Sequence, residues 1–201
     1  RHAITKLSSL LFPATSDAAA RVRKMGEEEW RIHIVGAPAL DTILHQAIPS
    51  REELLLDLGM DTKKEFILVT QHPVSEEWKV AWKQMEEIIA AVKTFNLPVV
   101  AVYPHADAGG RNIINVLEKE KNNPLFKIFP SVEYKKFLAL EREAAVWVGN
   151  SSGALIESSS FGTPVVNVGI RQYGRARVEN VIDVGYLREE IQKAMEKSLH
   201  D

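Results

Sequence analysis

Cysteine is absent from the 201 residues, which excludes disulfides, thiolate zinc ligands and thiol nucleophiles. A surplus of one charge is missing too. The 25 Lys and Arg stand against 27 Asp and Glu, a net charge of -2, so no basic footprint invites nucleic acid or an anionic membrane. No apolar run approaches the ~20 residues that cross a bilayer, and Arg1-His2-Ala3-Ile4-Thr5-Lys6 does not open like a secretory signal. The six histidines, His2, His33, His45, His72, His105 and His200, lack the close spacing of metal ligands, so no metal site and no cofactor are expected. These absences suit a cytoplasmic protein. An initiator methionine is missing as well, which hints at a cut or processed product.

What is present is alternation. Leu7 to Pro13 is a short apolar run, and Thr15 or Ser16 caps a predicted helix over 18–25 that stops at Gly26; Arg31 to Val35 reads as a strand. From there the pattern predicts helix 51–58, strand 65–70, helix 75–95, strand 99–103, helix 111–121, strand 125–129 and helix 132–142. A strand near 181–184 and a helix from 187 to about 199 close the chain. The long helix carries Trp78, Ala81, Trp82, Met85, Ile88, Ile89, Val92 and Phe95 in steps of three and four, a stripe expected to be core. Strands alternating with helices imply a parallel sheet covered on both faces, a Rossmann-like α/β fold that binds ligands beyond the carboxyl ends of its strands.

The stretch Val146 to Gly169 organises the rest. It reads as strand 146–148, a tight loop from Gly149 to Gly153, helix 154–161 stopped by Gly162, and strand 165–168. A small-residue loop feeding a helix start presents free N–H groups to an anion. Ser151 and Ser152 add hydroxyl donors, and Gly153 removes a Cβ that would hold a phosphate away. Glu157 leans back toward the same place; a carboxylate suits a sugar diol, so the pattern asks for a phosphate beside a ribose, a nucleotide. Two plainer readings stand beside this one. Ser151 or Ser152 could simply cap the helix, with Glu157 a surface glutamate, and Gly149 to Gly153 also fits G-x-S-x-G, the turn that exposes a hydrolase serine, with Asp183 and His200 following in hydrolase order.

Other candidates sit at strand ends. His72 follows strand 65–70 and can donate a hydrogen bond to a diphosphate or stabilise charge as it leaves; position alone favours a cap or a half-buried ring. His105 and Asp107 follow strand 99–103, with Asp107 expected to cap the next helix, and Ser131 follows strand 125–129 as a further cap. Arg171, Arg175 and Arg177 lie in the loop after strand 165–168, either solvated or adding forked donors to phosphate.

Taken together, GNSSG-x-x-x-E, FGTPVVN-x-G-x-RQ-x-GR and ENV resemble the UDP-N-acetylglucosamine 2-epimerase family, particularly its hydrolysing branch. The resemblance runs back through His72-Pro73-Val74 and Asp107-Ala108-Gly109 to VGAPALD near the start. It implies a GT-B-type two-domain enzyme, with residues 1–37 the tail of an N-terminal domain whose main body is absent and 38–201 the C-terminal UDP-binding domain. It implies UDP held by Ser151, Ser152, Gly153, Glu157, His72, Arg171 and Arg175, with His72 the catalytic candidate, the backbone near Ser131 reading uracil, and His105 standing where relatives often carry asparagine. Hydrolysing members eliminate UDP from UDP-N-acetylglucosamine and add water to release N-acetylmannosamine, the entry to sialic acids. Their carboxylates lie mainly in the other domain, so this chain is expected to bind UDP, or a UDP-N-acetylhexosamine, without turnover alone; relatives form dimers or tetramers. Departures are Pro73 and Val74, where non-hydrolysing bacterial members carry arginines, and Ala176, where a glutamate is common. A non-hydrolysing epimerase, a GT-B glycosyltransferase and a non-catalytic nucleotide sensor stay open as alternatives.

Overall fold

The computed structural model describes residues 2–200 and divides into two compact units, one ending at Gln46 and one beginning at Ala47, nine residues past the expected boundary at 37/38. The first unit holds helices α1 (His2–Leu7), α2 (Ser16–Lys24) and α3 (Ala39–His45). Thr15 caps α2 as expected, its hydroxyl accepting from Ala18 N–H. The strand predicted at 31–35 is absent; Glu29–Arg31 forms a 3-10 turn, and only Leu11 and Ile32 make a β-bridge. Its buried cluster is Leu11, Ala19 and Ile32, too few apolar groups to order a sheet.

The second unit opens with α4 (Arg51–Asp57), whose start carries a reciprocal box between Ser50 and Glu53. It continues with β1 (Ile67–Thr70), α5 (Ala81–Val92), β2 (Val99–Val102), α6 (Gly110–Glu118), β3 (Phe126–Phe129), α7 (Tyr134–Glu143) and β4 (Val146–Gly149). Then come α8 (Gly153–Ile156), β5 (Val165–Val168), β6 (Val181–Val184) and α9 (Arg188–His200). The six strands form one sheet in the order β3-β2-β1-β4-β5-β6, every neighbouring pair parallel. This is the Rossmann order, and its direction of winding reverses between β1 and β4.

Strand residues alternate between two cores. Ile67, Val69, Val99 and Val166 pack with α5, α6 and α9, while Leu68, Val100, Trp147 and Val165 pack with α4, α7 and α8. Both faces are therefore covered, which is what a parallel sheet requires.

Three expectations need correction. The long helix 75–95 is a composite: Ser75–Val80 and Lys93–Phe95 are 3-10 turns flanking α5. The tighter winding of the first turn shifts Trp78 out of phase, and Trp82 lies at the edge of the buried face of α5, so the two stay 44% and 45% exposed while Ala81, Met85, Ile88, Ile89 and Val92 are buried. The helix expected over 154–161 is a single turn, α8, followed by a 3-10 turn at Ser158–Ser160. Neither Asp107 nor Ser131 caps a helix by its side chain: Gly109 stands at the N-cap of α6, and at α7 Glu133 accepts from Lys135 N–H instead.

Candidate functional site

The site is built where β1 and β4 end side by side. Thr70 pairs with Gly149, and the backbones approach so closely that a Cβ on Gly149 would lie 2.1 Å from the Thr70 carbonyl oxygen. With φ at +137° the position also lies outside the range of ordinary side-chain-bearing residues. Trp147 Nε1–H donates to Thr70 Oγ1 at 2.7 Å, locking the same two strands from below.

Beyond them Asn150, fully buried, joins the two exits. Its Oδ1 accepts from His72 N–H at 2.7 Å, and its Nδ2 donates to the His72 carbonyl at 2.9 Å. Its own carbonyl collects Arg171 Nη1 at 3.0 Å and Gln172 Nε2 at 2.7 Å from the loop after β5. Segments after β1, β4 and β5 thus meet on one residue, whose part in GNSSG did not reveal this bridging role.

His72 is 6% exposed, and its ring stacks on that of His105 with centroids 4.3 Å apart and planes 11° from parallel. His72 Nδ1 accepts from His105 N–H at 3.2 Å, which places the imidazole proton on Nε2. Burial, then the Arg171 charge and His105, pull its pKa down to about 3. His72 therefore offers a neutral N–H donor at neutral pH, not a cation.

Ser151, Ser152 and Gly153 are half-buried around the start of α8. Ser152 stands at the N-cap with no side-chain capping bond. One helical turn carries little macrodipole, so attraction for an anion rests on the first N–H groups and on Arg171. Gly153 is needed for space: a Cβ there would lie 3.2 Å from both Glu141 Oε1 and the Trp147 ring, and 3.6 Å from Glu157 Oε2.

Those contacts expose a residue that sequence reading missed. Glu141, on α7, is fully buried against Gly153 and pairs with Glu157. Burial pushes its pKa up to about 10, with the Glu157 charge and a hydrogen bond to Glu157 adding to the rise. Burial also raises Glu157, while its bond to Glu141 lowers it. The signal was helical phase: Glu141 follows Leu138 by three and Phe137 by four, on the face that packs inward.

The remaining candidates separate. Arg175 is half-buried in the loop after β5. Arg177 bonds Asp183 at 2.8 Å and the carbonyls of Arg175 and Gln172, which makes it a loop brace. Ser131 is exposed after β3, the edge strand, two strands away from β1. The hydrolase constellation does not assemble. Asp183 is held by Asn167 at 2.6 Å as well as by Arg177, and His200 ends the 13-residue helix that leads away from β6, about 20 Å along its axis.

Comparison with known proteins bears on this geometry. The chain matches the UDP-N-acetylglucosamine 2-epimerase family over residues 1–201. It belongs to that family. Among its epimerase relatives is the UDP-N,N'-diacetylbacillosamine 2-epimerase (hydrolyzing) of Legionella pneumophila, 36% identical over 100% of this chain and 53% of the relative. Another is the GDP/UDP-N,N'-diacetylbacillosamine 2-epimerase (hydrolyzing) of Campylobacter jejuni, 33% identical over 91% of this chain and 48% of the relative. The fold matches that of the Methanocaldococcus jannaschii UDP-GlcNAc 2-epimerase, solved with UDP-GlcNAc and UDP, at a TM-score of 0.76 and 24% identity, covering 98% of this chain and 56% of that one. The chain thus spans about half the length of the epimerases it matches.

Proposed function

We propose that this chain supplies the UDP-binding half of a hydrolysing UDP-sugar 2-epimerase. The observation that carries the reading is the convergence of His72, Asn150 and Arg171, through the hydrogen bonds of Asn150, at the point where the sheet reverses its winding. Ligands of such sheets sit there.

In this reading the diphosphate rests on the N–H groups of the Ser151 to Gly153 turn and on Arg171, with Arg175 nearby, and the ribose diol meets Glu157. His105 contributes its stack on His72, and Ser131 stands at the uracil end. Elimination removes the proton from sugar C2 as the C1–O bond breaks, and UDP leaves with the bonding electron pair; water then adds to the glycal. The neutral His72 Nε2–H donates a hydrogen bond to the departing phosphate oxygen, a donor aimed where negative charge grows. Groups that move the C2 proton belong to a second, sugar-facing domain of a GT-B pair, so the 201 residues alone bind UDP without turnover. The whole enzyme works in this reading as a cytoplasmic homo-oligomer.

Calorimetric titration tests the nucleotide reading. UDP is expected to bind at least about tenfold more tightly than UMP, because the second phosphate meets Arg171 and the turn N–H groups. Equal affinities would overturn it. The names of the Legionella and Campylobacter relatives favour a second reading of the sugar, a 2,4-diacetamido hexose in place of N-acetylglucosamine. Comparing release of UDP from the two UDP-sugars by the full-length protein decides between them.

A further inference from the structure

Glu141 costs stability where it stands. It is fully buried on α7, and neither carboxylate oxygen finds a donor among the neighbouring N–H and O–H groups. An apolar residue would fill the same space without desolvating a carboxyl. Thr163 Oγ1–H donates to the Glu141 carbonyl at 2.6 Å, which ties this turn of α7 to the segment entering β5. The side chain then faces Gly153, the Trp147 ring and the Glu157 carboxylate.

We propose that Glu141 is a positioning residue whose carboxyl donates a hydrogen bond to Glu157 and holds that carboxylate toward the ribose diol of the bound nucleotide. The inference rests on the reading of Glu157 as the ribose ligand. Glu157 sits at the C-cap of a one-turn helix, where a glutamate has several rotamers available. A single donor from a rigid helix removes that freedom and leaves the other carboxylate lone pairs for the two ribose hydroxyls. The arrangement also keeps one negative charge at the pair, where two would repel each other and the neighbouring diphosphate. The elevated proton affinity of Glu141 is what lets it act as donor at neutral pH.

The test uses the full-length protein, with UDP and 2'-deoxy-UDP as probes. Wild type is expected to favour UDP by about tenfold or more, since hydrogen bonds to a charged group are strong. Glu141→Gln, whose amide still donates to Glu157, keeps that preference; Glu141→Met loses most of it, approaching Glu157→Gln. Retention of the preference in Glu141→Met, or its loss in Glu141→Gln, overturns the inference while leaving the ribose reading standing. Equal affinities in wild type overturn the ribose reading and the inference with it. Infrared spectroscopy at pH 7 supplies a readout independent of ligand and of the Met variant: wild type should show a protonated carboxylic acid carbonyl band that disappears in Glu141→Gln. Absence of that band in wild type also overturns the proposal.

Discussion

Asn150 and His72 exchange two hydrogen bonds, at 2.7 and 2.9 Å, across 78 residues of chain. The amide of Asn150 serves as a backbone surrogate, giving the strand exit at His72 the pairing that the sheet itself no longer provides. Replacing Asn150 with alanine strands a buried N–H and a buried carbonyl. We expect a loss of about 2–4 kcal/mol in urea unfolding, together with weaker UDP binding because His72 is no longer held. Unchanged stability would mean that water replaces the amide at no cost.

His72 should make stability depend on pH. Its folded pKa, about 3, lies below the ordinary value of 6.5, so the unfolded chain binds the extra proton between those limits. The sign follows: the contribution is fully present above 6.5 and is lost as pH falls toward 3. In that window the slope approaches about 1.4 kcal/mol per pH unit. Urea titrations at pH 7, 6 and 5 should show His72→Gln losing less stability per unit than wild type, and parallel curves would contradict the buried neutral ring.

Arg171 and Arg177 occupy one loop but should behave differently. Arg171→Met is expected to weaken UDP binding about tenfold to a hundredfold, because a charge-assisted donor beside His72 disappears. Arg177→Met should leave UDP affinity within about twofold and cost at most about 1 kcal/mol, since its partner Asp183 is exposed. Calorimetry on the two variants separates the ligand-facing cation from the brace.

Gly149→Ala tests the close approach of the central strands. With the new methyl 2.1 Å from the Thr70 carbonyl oxygen, either β1 or β4 must move. A loss beyond about 4 kcal/mol, seen as insoluble or unfolded protein, is the expected outcome. A folded variant with normal melting would show that the strands separate freely.

The strands of the second unit and most of its helices were legible because alternation of apolar runs with helical periods leaves few topologies open. His72 and the Gly149 to Gly153 turn were legible because sheet geometry makes strand exits special. What could not be read depended on partners distant in sequence. Glu141 lies in phase with the buried face of α7, but its partner appears only once α8 is laid beside it. Asn150 is one residue among the five of the Gly149 to Gly153 turn until the exit of β1 arrives. Trp78 fits the helical stripe and leaves it because the backbone tightens at Ser75–Val80, while Trp82 stays in α5 on the border of its buried face. Ser131 and Asp107 have capping chemistry, but the actual helix starts lie two residues beyond each, at Glu133 and Gly109.

The strand order has a kinetic side. Pairs β1–β2, β2–β3, β4–β5 and β5–β6 each join neighbours in sequence, whereas β1–β4, with Ile67 against Val146, closes the longest loop in the sheet. Loop closure of that length carries the largest entropic cost and rewards the chain only once both flanking halves are in place. The proposed nucleotide site straddles this one seam. Its formation should therefore coincide with completion of the sheet, so that in a refolding experiment recovery of UDP binding marks the last step of assembly and lags the return of helical signal.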